Sequence, residues 1–263
     1  MDRRHRAALL AEFDRDVRLG ARPDGPGARV ERAGNVVRHV GGAHGWNGVV
    51  WSGLDAAAAD AAIAEQIDRF GGPGADFEWK LYGHDGPADL GERLCAAGFR
   101  PGPAETLMVG GSDGPASVAE PPEGVRVVPV TDAAGVGLMA DVHEKAFGSD
   151  GSWLRRQLLA RLTADPGGVV AVVAMAGEEA VSAARLEFVP GTNFAGLWGG
   201  GTVEGWRGRG VYRALVAHRA RVAAARGYRH LQVDASDRSR PILERLGFVP
   251  LTTTTPYRYP GCD

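Results

Sequence analysis

The stretch Thr202-Val-Glu-Gly-Trp-Arg-Gly-Arg-Gly-Val-Tyr-Arg-Ala-Leu-Val216 constrains this chain more than any other. Its pattern predicts the end of a strand, a turn built on Gly208 and Gly210, and the first turns of a helix. Glycines reach backbone conformations closed to other residues, so successive N–H groups can turn toward one point. The helix adds unpaired N–H groups and the positive end of its dipole. Arg207 and Arg209 bring positive charge to the same place. Together these make a candidate site for a phosphate or pyrophosphate. A nucleoside-triphosphate loop is excluded, because Val211-Tyr212 follows Gly210 where such a loop needs Lys-Ser or Lys-Thr. A dinucleotide turn fits poorly: Arg213 takes the third glycine position, and only a short tail follows Asp234.

Composition narrows the partners. With 263 residues, 44% of them hydrophobic, the chain can build one large core or two small ones. A formal net charge of -2 argues against a nucleic-acid binder that depends on bulk positive charge. Two cysteines, Cys95 and Cys262, form neither a disulfide framework nor zinc-ligand spacing, and no metal is expected. Met1 to Leu19 interleaves Arg, Asp and Glu with Leu and Phe, which predicts an amphipathic helix and no signal peptide. No apolar run approaches the roughly 20 residues that span a bilayer. The expected address is therefore cytoplasmic, with no membrane partner.

A composition shift at Gly110 to Gly124 predicts a linker, so the expected organisation is 1–112, a linker at 113–123, and 124–263. Before the linker, strands are expected at Gly48 to Trp51, Phe77 to Tyr82 and Glu105 to Val109. Helices follow Asp55, which caps an Ala-rich segment, and span Pro87 to Ala97. After it, strands are expected at Val125 to Val130, Gly168 to Ala176, Ala180 to Phe188, Phe194 to Val203, His230 to Asp234 and Phe248 to Tyr259. Helices are expected at Asp132 to Phe147, Ser152 to Thr163, from the glycine turn to Arg226, and Arg240 to Leu246. The fold class is α/β with a mixed, mostly antiparallel central sheet flanked by helices. Glu92-Arg-Leu94 leading to Gly98-Phe99 echoes Glu244-Arg-Leu246 leading to Gly247-Phe248, which points to duplication.

Arg207-Gly-Arg-Gly-Val-Tyr212 resembles the acyl-CoA-binding motif of the GCN5-related N-acetyltransferases, the GNAT family. Asp234-Ala-Ser236 through Leu243-Glu-Arg-Leu-Gly-Phe248 resembles that family's next block, and the likeness runs from about Gly124 to Tyr259. The first half resembles a degenerate copy of the same fold, without the glycine turn. The resemblance implies acetyl transfer from acetyl-CoA to an amine on a small molecule or peptide by direct attack. It also implies that homodimers are common. The alternative is a catalytically inactive acyl-CoA-binding module. Cofactor contacts would come from Thr202, Val203, Arg207, Gly208, Arg209, Gly210, Val211, Tyr212 and Ser236.

The sequence departs from the family pattern at three positions. Tyr212 replaces a small residue, Leu243 stands where many members carry a tyrosine that protonates the thiolate, and Ser236 stands for a common asparagine. The strand from Phe194 to Val203 contains no carboxylate that could act as base. Glu187, Asp234 and Tyr257 are the candidate substitutes, the first two as bases and the third as the acid. His143 is a candidate for the acceptor cleft, and His218 is expected to be a half-buried histidine on its helix's apolar stripe.

Overall fold

Glycines of positive φ and short polar caps set where each element stops. In the computed structural model, which describes residues 2–42, 45–72, 76–114 and 117–260, α1 (Arg3–Phe13) continues as a π-helical segment, Asp14–Leu19. There follow β1 (Arg29–Ala33), β2 (Val36–Val40), β3 (Gly48–Ser52), α2 (Ala59–Phe70), β4 (Phe77–Tyr82), α3 (Leu90–Ala96), β5 (Arg100–Pro101) and β6 (Glu105–Gly111). The second half runs β7 (Val125–Val130), α4 (Ala133–Phe147), α5 (Ser152–Ala164), β8 (Val169–Ala176), β9 (Glu179–Phe188) and β10 (Phe194–Thr202). It ends with α6 (Val211–Ala225), β11 (His230–Ala235), α7 (Arg240–Arg245) and β12 (Val249–Tyr259). Cys262 lies outside the described residues.

Two compact units emerge, and they are not the two halves of the sequence. The first contains the chain as far as Leu107, Asp234–Asp237, and everything from Leu251 onward. The second contains Met108–Val233 and Arg238–Pro250. In the first unit β1, β2 and β3 pair antiparallel, β3 pairs parallel with β4, and β12 pairs antiparallel with β4 from Thr254↔Tyr82 to Tyr259↔Phe77. The chain's last strand thus completes the sheet built by its beginning. In the second unit β7, β8, β9 and β10 pair antiparallel and β10 pairs parallel with β11. The segment expected as a free linker belongs to this unit: Arg221 on α6 donates to the Ser117 carbonyl at 2.8 Å and reaches Glu120 at 3.2 Å.

Each unit has its own core. Trp79, Leu90, Leu94 and Phe77 centre the first, where Phe77 and Phe99 meet edge to face at 5.2 Å. Val136, Val172, Val181 and Leu215 belong to the second. The β1–β2 hairpin escaped the sequence reading because Arg29, Glu31 and Arg32 break up its apolar pattern. Its signal was the two-residue Gly34-Asn35 loop, with Gly34 at φ 54° and Ala33 paired to Val36. The N-terminal helix widens into the π-helical segment that carries Arg18. That arginine is 2% exposed and bonds Asp14, Asp85 and the Val50 carbonyl.

The helix-end echo is real but shifted. Gly98 (φ 101°) and Gly247 (φ 85°) close α3 and α7 identically: Phe99 N–H reaches the Leu94 carbonyl, and Phe248 N–H reaches that of Leu243. Leu94 therefore corresponds to Leu243, and the Glu-Arg-Leu match in sequence is out of register. Both leucines are fully buried.

Removing residues 251–263 should strip β4 of its partner strand. Hydrogen exchange should then show loss of protection in β4 while β8 and β9 keep theirs; unchanged protection in β4 would disprove the shared sheet.

Candidate functional site

The predicted strand, turn and helix are present, the strand and the helix each ending one residue before the expected bound. After β10 the chain makes a short 3₁₀ turn, Glu204–Trp206, then passes Gly208 (φ 76°) and Gly210 (φ 89°) into α6. Both glycines are in the left-handed region, where an L side chain is strained. The first helical hydrogen bond is Ala214 N–H to the Gly210 carbonyl at 3.0 Å. The amides of Val211, Tyr212 and Arg213 precede it and have no intrahelical acceptor. Gly210 supplies no side-chain cap, and a Cβ at Gly208 would meet nothing within 4 Å. The turn is an uncapped, open helix N-terminus.

Arg207 does a different job from the one its charge suggests. Its Nε donates to the Thr202 carbonyl and its Nη2 to the Ala146 carbonyl, each at 3.1 Å. It ties the turn to the end of β10 and to the end of α4. Arg209 lies over the Trp206 ring, 4.8 Å from its centroid, and stays exposed. Tyr212 turns back toward β10, where a Cβ on Gly200 would come within 2.9 Å of its ring. It shares this position with Arg219, 1% exposed, which donates to the Leu215 and Arg185 carbonyls at 3.0 Å each. Burial pulls the Arg219 pKa down to about 10 against the opposing influence of Tyr212. Arg219 gave no sequence signal beyond its place among apolar neighbours on the helix.

Beyond Gly196, β10 is laddered to β9 and no longer to β11. Ladder pairs run to β9 as far as Thr202↔Ser182, with an irregularity between Trp198 and Gly201 where Gly199 has φ 58°. Ser182 Oγ bonds the Gly201 carbonyl and meets Thr202 Oγ1 at 2.9 Å, and Val203 N–H reaches the Val181 carbonyl. The parallel ladder to β11 stops after Gly196↔Gln232. From there to Thr202 the two strands part, and the β11-facing edge of β10 is left without that ladder. Thr202 and Val203 thus stand at the end of a half-paired strand that leads into the glycine turn.

The candidate catalytic residues do not gather there. Glu187 Oε1 takes Arg185 Nε at 2.6 Å and Arg161 Nη1 at 2.9 Å. Burial opposes its charge, but Arg185 and Arg161 outweigh that and hold its pKa below the ordinary carboxylate value. A carboxylate so stabilised is a poor base; it anchors two arginines. Asp234 clusters with the first unit and is ion-paired with Lys80 there. Tyr257 pairs with Trp79 on the core side of the first unit, with its hydroxyl against Gly91, and burial raises its pKa. It is a packing aromatic. Ser236 is exposed and clusters with the first unit. Leu243, where a tyrosine was sought, is fully buried.

Both histidines singled out in the sequence belong to the second unit. His143 on α4 meets Ser149 Oγ at 3.0 Å and lies tilted against Phe147, whose ring a Cβ on Gly201 of β10 would approach to 2.7 Å. Burial, then Arg185, lowers its pKa. His218 is half-buried as expected, and burial lowers its pKa too.

The first unit repeats the plan without the turn. There β3, α2 and parallel β4 follow one another as β10, α6 and β11 do. Asp55 Oδ1, however, accepts from Ala57 N–H at 3.0 Å and Ala58 N–H at 2.8 Å just ahead of α2. A carboxylate of the chain already occupies the place an anion would take.

These features can be set beside known proteins. The model of the Acetyltransferase (GNAT) family matches residues 138–248, from within α4 to the end of the α7 closure. That stretch is similar to a GNAT-family domain over its matched residues. The overall fold is shared with a GCN5-related N-acetyltransferase from Kribbella flavida, at 20% identity, 98% of this chain and 95% of that one, with a TM-score of 0.67. It is shared as well with a GCN5-related N-acetyltransferase from Sphaerobacter thermophilus, at 19% identity, 90% and 78% coverage and a TM-score of 0.59. A tandem GNAT protein from the clavulanic acid biosynthesis pathway aligns at 14% identity over 100% of this chain and 96% of its own, with a TM-score of 0.60. No curated protein matches the sequence.

Glu187→Gln should destabilise the protein by about 3 kcal/mol at neutral pH, since it leaves two mostly buried guanidiniums short of their partner. The wild-type advantage should shrink as pH falls below the ordinary value of 4.5, where the carboxylate with the lowered pKa gains its proton. Denaturant titrations of both proteins across that range check the sign.

Proposed function

We propose that the chain is an acetyl-CoA-dependent N-acetyltransferase acting by direct attack of an amine from a small molecule or a peptide. The observation that carries this reading is the uncapped Gly208–Gly210 turn at the end of a strand already parted from its parallel neighbour. Amides from Arg209 to Tyr212 would hold the pyrophosphate, helped by the α6 dipole and the nearby arginines. The unladdered edge of β10 would take the amide groups of the pantetheine arm, with Thr202 and Val203 at its end. Bound acetyl-CoA supplies a thioester whose carbonyl oxygen gains charge during attack, and a strand N–H can stabilise that charge.

The acceptor must be neutral to attack, so a proton has to leave it first. With Glu187 and Asp234 each engaged by cations, His143 is the group assigned that proton. Its lowered pKa keeps it neutral at physiological pH, and its helix ends against β10. The first half is read as a copy that lost cofactor binding when Asp55 came to cap its own helix start. A cytoplasmic address and homodimer formation accompany this reading. A second reading, a binding module without turnover, draws on Leu243 in place of the tyrosine acid. Binding of acetyl-CoA with no acetylation across an amine panel would favour it.

Gly208→Asp and Gly208→Asn share the same backbone strain and differ only in charge. The aspartate should weaken acetyl-CoA binding about a hundredfold and the asparagine less than about tenfold, with both variants folded. Equal affinities in calorimetry would remove the site assignment. His143→Gln should abolish the acidic limb of the kcat/KM profile, where wild-type activity rises with pH as a histidine of pKa below 6.5 loses its proton. A limb that survives in the variant assigns the base elsewhere.

A further inference from the structure

The run Gly199-Gly-Gly201 gives the far end of β10 two unlike faces. A Cβ on Gly200 would come within 2.9 Å of the Tyr212 ring and 3.7 Å of Arg219 Nη2, so side chains of α6 fill that face. A Cβ on Gly199 would lie 3.0 Å from Arg185 Nη1, and one on Gly201 would lie 2.7 Å from the Phe147 ring. Those two glycines thus turn toward α4 and α5, since Phe147 ends α4 and Arg185 shares Glu187 with Arg161 of α5. With the α6 face filled, an acceptor reaching a thioester laid along the unladdered edge of β10 comes over this second face. Gly199 puts no side chain in its way. Phe147, 54% exposed, borders the approach, and the His143 ring lies tilted against it with centroids 4.9 Å apart.

Arg185 is the cation at this opening. Its side chain is 15% exposed, and its Nε donates to Glu187 Oε1 at 2.6 Å. Arg161 Nη1 lies 2.9 Å from the same oxygen, so two guanidiniums share one carboxylate. Glu144, the other carboxylate near His143, accepts from the Gly151 N–H at 3.1 Å. Among the described residues neither Nη of Arg185 has a hydrogen-bond partner. The residue is nonetheless fixed in place, because Arg219 Nη1 donates to its carbonyl at 3.0 Å. The geometry points to Arg185 as the residue that selects the acceptor, by taking a carboxylate that the amine substrate carries. This inference rests on the acetyl-transfer reading and narrows it to amino acids and other amines bearing an acid group. The end of a guanidinium presents parallel N–H donors from Nη1 and Nη2, and a carboxylate meets both at once. An amide or hydroxyl in the same place leaves the surplus charge unmatched.

Products serve as probes, so the test needs no turnover. The full chain, with and without CoA, is titrated calorimetrically with N-acetylglycine, 4-acetamidobutyrate and 6-acetamidohexanoate, each beside its primary amide. The three place the acid group at increasing distance from the acetamide. At least one acid should bind at least about tenfold tighter than its amide. Arg185→Gln and Arg185→Lys should each cut that preference below about threefold and leave acetyl-CoA affinity within about twofold. Gly199→Ala sets a methyl 3.0 Å from Nη1 and keeps the pair with Glu187, so it should cut the preference too and decides the matter if the arginine variants do not fold. Acids bound no better than their amides, no probe bound at all, or a preference that survives in the folded variants would overturn the assignment. Acetyl-CoA binding in the same preparation separates the two readings. With acetyl-CoA bound and no preference for acids, only the acceptor assignment falls; with no acetyl-CoA bound, acetyl transfer falls with it.

Discussion

The three-pair parallel ladder between β10 and β11 is the constraint on which the rest of the second unit's site depends. Pairing holds from Phe194 to Gly196 and then ends, while the opposite edge of β10 stays fastened to β9 as far as Ser182. A strand released on one side and pinned on the other offers main-chain groups to a ligand without losing its position. Arg207 extends the pinning beyond the strand, because its two bonds are to carbonyls of β10 and α4. The turn can thus remain open yet rigid. Its glycines supply the left-handed geometry, and the arginine supplies the tether that glycines lack.

Comparing the two helix starts shows what separates an open helix start from a capped one. Both follow a strand, and both precede a parallel partner strand. Ahead of α2 the amides are consumed by Asp55; ahead of α6 they are left by Gly210 without a side-chain acceptor. A carboxylate in that place satisfies the orphan donors and repels any phosphate. A single cap residue therefore decides whether such a helix start is open to an anion or closed by the chain itself.

Much of this was legible from local signals. The bounds of β4 and β7 came from apolar runs ended by polar residues or glycine, and the α4 start from Asp132, which caps Gly135 N–H at 2.8 Å. What stayed hidden was non-local. The strand β12 reads as an ordinary last strand, and nothing in Leu251 to Tyr259 says that its partner is β4. The roles of Glu187, Asp234 and Tyr257 were equally out of reach, since each depends on a partner far away in sequence. Arg161 reaches Glu187 from α5, Lys80 reaches Asp234 from β4, and Tyr257 lies along Trp79. A carboxylate looks like a base until its cations are known.

The buried charges of the two units illustrate that point from opposite sides. Around Glu187, two guanidiniums meet one carboxylate, and the carboxylate is held ionised. Along β4, Lys80 pairs with Asp234, while burial pushes Glu78 and Glu105 toward their protonated forms. Burial raises carboxylate proton affinity in both places, so the sign of the result is set by how many cations are near and how deeply they sit. In the second unit the cations are in surplus. In the first, burial outweighs the nearby cations at Glu78 and Glu105.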